Sequence, residues 1–176
     1  MLTRKKTLSV FSALAASAWM FGARADETSF ELRYYANYPG GNELAAHDYA
    51  AAIAVASWAE RADDPFTALI GSTNLCVAYA MTGALKRATK SCDAAVTLAR
   101  QLDSPASRKL TPDDATSRAL SNRGVLRALR GDALGAATDL HAAAKAVASS
   151  RLLARNLAHL ESSPVYRERV ALADSD

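Results

Sequence analysis

Four arginines supply the strongest candidate binding chemistry in this chain of 176 residues. Arg123, Arg127 and Arg130 recur at intervals of four and three, so a helix would present them on one face. Arg118 lies near the start of the same predicted helix. Because guanidinium groups grip carboxylates through paired hydrogen bonds, these residues predict a surface that binds a protein or peptide partner, with an acidic segment as one candidate.

The distribution of charge leaves two interpretations of this surface open. Residues 26–64 carry eight acids and two bases, whereas residues 86–130 carry ten bases and four acids. The basic part of the chain could attract an acidic partner, and physiological salt would screen this attraction over ~8 Å. It could also form solvated helix faces, or arginines paired within the chain, for example with Asp93 or Asp139.

Other reactive residue types lack the spacing that catalysis or metal binding requires. His47, His141 and His159 are far apart in sequence, and no Gly-x-Ser-x-Gly motif or glycine-rich phosphate loop occurs. The acidic pairs at 63–64 and 113–114 precede predicted helix starts, where carboxylates cap free amide groups. We therefore expect no enzyme, no metal site and no cofactor.

Cys76 and Cys92 are the only cysteines, and both lie in one predicted helical hairpin. They stand seven residues before Gly83 and nine residues after it, so on antiparallel helices they would be offset by only ~3 Å along the axis. A disulfide is geometrically feasible at that offset and would stabilise the fold by ~3 kcal/mol. The alternative is a pair of buried, reduced cysteines that act as small core residues.

The pattern downstream of residue 42 is helical and rich in alanine, with breaks at glycine and proline. Gly83 and Gly131 stand where tight turns between helices need a residue that tolerates unusual backbone angles. We predict a helical domain over residues 43–162, then a C-terminal tail at 163–176. The predicted helices span 41–62, 66–82, 85–101, 113–130, 133–147 and 150–161.

The N-terminal part has a different character. Residues 1–25 have three basic residues at 4–6, an apolar run at 7–21 and the ending Ala-Arg-Ala, as a secretory signal peptide requires. Cleavage after Ala25 would leave 17 bases against 18 acids, which argues against nucleic acid as a partner. An uncleaved anchor is the alternative, and otherwise we expect no membrane span and a periplasmic or secreted protein. Residues 26–42 then form an aromatic arm that we expect along the helices.

Residues 75–95 and 123–143 repeat one spacing of small and apolar residues. The shared landmarks are Leu75, Tyr79, Gly83, Ala88 and Ala95 in the first copy and Gly124, Gly131, Ala136, Leu140 and Ala143 in the second. This pattern resembles the tetratricopeptide repeat over residues 44–160, with about 14 extra residues at 101–112. Sel1-like repeats are the alternative. The resemblance implies an all-α, right-handed stack of about three antiparallel helical hairpins, an α-solenoid.

The resemblance also implies a mode of function. In such repeat proteins the first helix of each hairpin lines a groove that binds a peptide, so Arg118, Asn122 and Arg127 would set the polarity of a bound segment. Asn74 and Asn122 occupy equivalent sites, but the lysines of a carboxylate clamp are missing. We therefore expect an exported protein-interaction module. A structural protein that self-associates through its arm, and a small-ligand carrier or enzyme with a pocket under 101–112, are the alternatives.

Overall fold

The structure is a computed structural model that describes residues 29–102, 112–147 and 149–173. The predicted signal peptide and residues 103–111 of the predicted insertion lie outside the described residues. The described part of the chain is all-helical and contains eight helices. In order they are α1 Gly41–Ala45, α2 Tyr49–Glu60, α3 Pro65–Met81, α4 Leu85–Gln101, α5 Pro112–Leu129, α6 Ala133–Ala146, α7 Arg151–Ser162 and α8 Pro164–Ala173.

Side-chain caps explain where several of these helices begin. The side chains of Asp48, Asp64, Asp132 and Ser150 each accept a hydrogen bond from the backbone N–H three residues later. Each cap satisfies a donor that the first helical turn leaves without a partner. The predicted capping role is therefore confirmed for Asp64. Asp114 lies in the first turn of α5, where a carboxylate complements the positive end of the helix dipole.

Two predicted boundaries differ from the structure. The predicted helix at 41–62 is broken between α1 and α2, where His47 adopts a left-handed backbone conformation with φ 58°. Asp48 then accepts a hydrogen bond from the N–H of Ala51 and starts a new helix, a local bond that competes with continuing the first one. The segment predicted as a C-terminal tail contains α8.

Small residues let the helices pack closely, each against its neighbours in the chain. Helix α3 packs on α4 and α5 packs on α6, across short turns in which Gly83 and Gly131 have φ of 72° and 82°. The predicted role of these two glycines is confirmed. Gly71 brings α3 so close to α2 that a Cβ atom there would overlap the Glu60 backbone nitrogen. The core between the helices is accordingly rich in buried alanine.

The predicted disulfide is present and joins α3 to α4. The Cα atoms of Cys76 and Cys92 are 4.9 Å apart, and both residues are buried. The bridge therefore ties the two helices of one hairpin together near the middle of their contact. Within the described ranges, none of the helices combines the length and the apolar character needed to cross a membrane.

Candidate functional site

Residues 30–35 of the arm lie extended across three helices, where three buried asparagines bind the arm backbone. These helices are α3, α5 and α7, and α5 contacts both of the others. We call the surface that the arm crosses the asparagine groove. Its asparagines are Asn74, Asn122 and Asn156.

Asn122 and Asn156 bind the arm in the same way. The side-chain oxygen of Asn122 accepts from the Arg33 N–H at 2.8 Å, and its amide nitrogen donates to the Arg33 carbonyl at 2.6 Å. Asn156 makes the equivalent pair with Glu31, with both distances 2.9 Å. Each carboxamide thus satisfies both backbone groups of one arm residue, as a neighbouring β-strand would.

Asn74 adds a third pair at the other end of the arm. Its oxygen accepts from the Tyr35 N–H at 2.8 Å, and its nitrogen donates to the carbonyls of Tyr35 at 3.3 Å and Pro39 at 2.9 Å. The arm then turns through Gly40, whose φ is 83°. At the next residue, Gly41, a Cβ atom would overlap the Tyr35 carbonyl, so only glycine allows the arm to close this tightly on α1.

The clamped residues alternate, which sets the register of the arm. Residues 31, 33 and 35 meet α7, α5 and α3 in that order, so the arm runs opposite to the order of the helices in the chain.

Charged side chains of the groove face the odd-numbered arm residues. Arg155 on α7 forms an ion pair with Glu31 at 2.7 Å, in which both side chains are about half exposed. Asp114 on α5 forms an ion pair with Arg33 at 3.1 Å, and here both side chains are less than a third exposed. The groove therefore presents a cation to one arm residue and an anion to the next odd-numbered one.

Arg118 joins these contacts around Tyr35. It donates to the Tyr34 carbonyl at 2.8 Å, pairs with Asp114 at 3.1 Å and places its guanidinium 4.2 Å from the Tyr35 ring centroid. The Tyr35 hydroxyl is buried and has no hydrogen-bond partner among the described residues. Burial raises the pKa of Tyr35 to about 12, and Arg118 opposes this rise.

The even-numbered arm residues face an apolar pocket of about 370 Å³. Phe30, Leu32 and Tyr34 line it from the arm together with Glu31, and Leu44 and Val77 line it from the helices. The arm therefore meets the groove in three ways: through its main chain, through charges at odd positions and through apolar side chains at even positions.

Three of the predicted arginines lie in a separate place, which we call the arginine pocket. Arg123 directly follows Asn122, so its side chain points about 100° further round α5. Together with Arg127 and Arg130 it lines a pocket of about 300 Å³ between α4, α5 and the start of α6. Arg127, predicted to help set the polarity of a bound segment, therefore lines the arginine pocket rather than the asparagine groove.

Charges in the arginine pocket bind each other. Arg123 grips the buried carboxylate of Asp139 through two hydrogen bonds of 2.7 and 2.8 Å and also pairs with Asp93 at 3.3 Å. The hydrogen bonds with Asp139 raise the pKa of Arg123. Arg127 contacts the same carboxylate at 3.0 Å, and Arg130 donates to Thr89 at 2.7 Å. Arg123 and Arg127 therefore pair with carboxylates of their own chain, which is one of the two interpretations that the sequence left open.

The structure thus brings together Asn74, Arg118 and Asn122 from the predicted site and separates the other three arginines from them. Sequence reasoning missed Asn156. A signal for it existed, because Asn156 follows Asn122 by 34 residues, the period of the repeat that the chain resembles.

Comparisons with protein-family models, with curated proteins and with solved structures find no match to this chain. Within the residues that the structure describes, no cluster of three histidine, cysteine or carboxylate side chains is suited to a metal ion. Two of the three histidines contact aromatic residues. His47 lies 3.0 Å from the Tyr49 hydroxyl, and the His159 ring packs edge-on against the Phe30 ring. The asparagine groove is the feature that carries a functional argument.

Proposed function

We propose that this protein is an exported protein-interaction module whose asparagine groove binds an extended segment of another protein in the cell envelope. The observation that carries this proposal is the paired binding of the N–H and C=O groups of alternate arm residues by three asparagines. Because these bonds engage the main chain, they are available to any extended segment. The proposal requires no cofactor and no catalytic step.

The proposal includes a finer account of the fold, a tetratricopeptide-like α-solenoid of three hairpins. In this account α3, α5 and α7 are the first helices of the hairpins α3–α4, α5–α6 and α7–α8. The equivalent positions of the three asparagines support it, as does the spacing of 34 residues between the second and the third. Each first helix then supplies one asparagine to a common surface.

Export is supported by two features of the chain. Residues 1–25 have the composition of a secretory signal peptide, and disulfides such as Cys76–Cys92 persist in oxidising compartments. We expect both thiols in protein taken from the periplasm to resist alkylation until the protein is reduced. Labelling of both thiols in unfolded, unreduced protein would contradict the disulfide and remove its support for export.

The arm has a defined part in this proposal, because it occupies the groove that a partner would use. A partner must compete with the arm, so its apparent affinity falls in proportion to the fraction of molecules whose groove is open. A change that loosens the arm should therefore raise the affinity for a partner. Arg33→Pro is such a change, since it removes both the N–H that Asn122 accepts and the ion pair with Asp114.

The experiment that tests the proposal compares retention of a random decapeptide library by three full-length proteins. We expect Arg33→Pro protein to retain more peptide than the unmodified chain. Adding Asn122→Ala and Asn156→Ala to Arg33→Pro should abolish the gain. Circular dichroism would verify that all three proteins are folded. Equal retention by folded protein with and without the asparagines would contradict the proposed groove.

A second candidate function is self-association, which the arm itself favours. The groove already matches this arm in main-chain, charged and apolar contacts, and the arm of a second copy carries the same groups. Exchange of arms between two copies would give a dimer without any new contact type. Light scattering would detect it as a molecular mass that rises with concentration and falls back to that of the monomer in Arg33→Pro protein.

A further inference from the structure

We propose that the asparagine groove selects its partner segment by charge pattern. The preferred segment has an acid two residues before a base, carries apolar side chains between and beside them, and runs from α7 towards α3. This inference rests on the proposed function and names the class of partner. It is argued from three subsites that the arm occupies.

The acid subsite is on α7. Arg155 lies 2.7 Å from the Glu31 carboxylate, while Asn156, the next residue, holds the Glu31 main chain. One helix thus fixes the backbone of a residue and presents a cation to its side chain. A base at that position of the segment would meet Arg155 as a like charge.

The base subsite is on α5 and is more enclosed. Asp114 receives Arg33 at 3.1 Å on one carboxylate oxygen, and Arg118 binds the other oxygen at 3.1 Å. The Nη1 atom of Arg33 is buried and has no hydrogen-bond partner in the described part of the chain. Since the subsite uses one nitrogen of the guanidinium, it requires a cation rather than the shape of arginine, and lysine should serve as well.

The apolar subsites receive the even-numbered arm residues. Phe30 meets the His159 ring edge-on at a centroid distance of 4.4 Å, and Leu32 packs on the buried cluster that includes Leu44 and Val77. Because successive side chains of an extended segment point to opposite sides, apolar positions must alternate with the charged ones. The order is therefore apolar, acid, apolar, base, aromatic.

The test uses a full-length receptor whose own arm has the wrong charge pattern, Glu31→Arg/Arg33→Glu. The probe is a fluorescent peptide with the sequence of residues 29–39, Ser-Phe-Glu-Leu-Arg-Tyr-Tyr-Ala-Asn-Tyr-Pro. Matched peptides carry Glu and Arg exchanged, or Lys in place of Arg. Both peptides compete with the same arm, so the ratio of their affinities reports the subsites alone.

Fluorescence anisotropy should show the probe and its Lys version binding roughly tenfold more tightly than the exchanged peptide. Adding Arg155→Glu to the receptor should shrink that ratio, and adding Lys86→Glu, at an exposed position of α4, should leave it unchanged. Equal binding of the probe and the exchanged peptide would overturn the proposed selection by charge pattern. The groove would then bind the main chain of any extended segment. Binding of neither peptide would overturn the proposed function as well.

A second measurement determines whether the reversed arm of the receptor still lies in the asparagine groove. Amide hydrogen exchange at residues 33 and 35 reports docking directly, because Asn122 and Asn74 accept those N–H groups. The reversed arm should lose at least about tenfold in protection relative to the unmodified arm. Full protection of the reversed arm from amide exchange would by itself overturn the proposed selection by charge pattern.

Discussion

Helix α5 carries two polar surfaces, the asparagine groove and the arginine pocket, which differ in what their side chains bind. In the groove, the neutral amide of Asn122 binds the main chain of a distant segment, 89 residues away in sequence. In the arginine pocket, Arg123 binds carboxylates on the neighbouring helices α4 and α6. The first arrangement places a separable segment on a surface, and the second joins helices within the core.

The comparison shows that the surface with more charged side chains, the arginine pocket, is not the surface that is more available to a partner. Asp139 is 4% exposed and accepts from both Arg123 and Arg127, so their charges are largely satisfied inside the molecule. An uncompensated buried charge costs several kcal/mol, which keeps these arginines in place. The asparagines need only a backbone N–H and C=O, which any extended segment supplies.

The substitution with the largest expected effect on stability is in the arginine pocket. Arg123→Ala removes two hydrogen bonds from the buried Asp139, so we expect a loss of about 3 kcal/mol in the free energy of unfolding. Urea denaturation would measure it. Arg130→Ala, which breaks one hydrogen bond of an exposed side chain, is the control and should cost only about 0.5 kcal/mol. Equal losses would mean that Asp139 does not depend on Arg123.

The second effect is a pH dependence of stability that arises from one side chain of the groove, Tyr35. Because the folded-state pKa of Tyr35 is about 12 and its ordinary value is 10.0, the unfolded chain loses this proton first as the pH rises. The stability that the neutral hydroxyl contributes is therefore complete below pH 10 and is lost towards pH 12. The loss should be roughly 2 to 3 kcal/mol.

Denaturation at pH 9 and at pH 11.5 would measure this loss. Tyr35→Phe is the matched control, because it removes the ionisable group and keeps the ring beside Arg118. All other side chains are the same in the two proteins, so only the difference between their slopes is assigned to Tyr35. The same slope in both proteins would refute the assignment.

The third effect separates arm binding from folding. Asn122→Ala leaves the Arg33 N–H and C=O without their partner, so the unfolding free energy should fall by roughly 1 to 3 kcal/mol. Amide exchange in the arm should accelerate while exchange in α3 and α5 stays slow. Asn42→Ala, at an exposed position of α1, is the control and should change neither. Uniform acceleration through the helices would show that Asn122 serves the core.

The smallest effect concerns the charge of the groove. Arg155→Glu places a like charge beside Glu31 at a partly exposed site, so the stability should fall by less than about 1 kcal/mol. High salt should reduce the difference, because it screens exposed charges. Thermal unfolding at low and high salt would measure it, with Lys86→Glu at an exposed position of α4 as the control. A larger loss that ignores salt would contradict an exposed ion pair.

Local signals in the sequence account for much of the fold. The glycines at the two turns, Asp64 before Pro65, and the level placement of Cys76 and Cys92 all follow from short-range geometry, and the structure agrees with each. The break at His47 was missed because the flanking residues continue a helical pattern and only the backbone angle reveals the turn.

The site was less accessible to sequence reasoning, because it depends on contacts between distant parts of the chain. That Asn156 binds Glu31, 125 residues away, cannot be read from either neighbourhood. Arg123 and Asn122 are adjacent in sequence, yet they serve different surfaces, since one residue turns a helix by about 100°. The prediction grouped them because it weighed charge above helical position.

The most direct test of the arm–groove account is amide hydrogen exchange, resolved by residue along the arm of the full-length protein. The N–H groups of residues 31, 33 and 35 are held by Asn156, Asn122 and Asn74, whereas those of Leu32 and Tyr34 have no partner among the described residues. We predict slow exchange at the three odd positions and fast exchange at the two even ones. Fast exchange at all five positions would contradict the account.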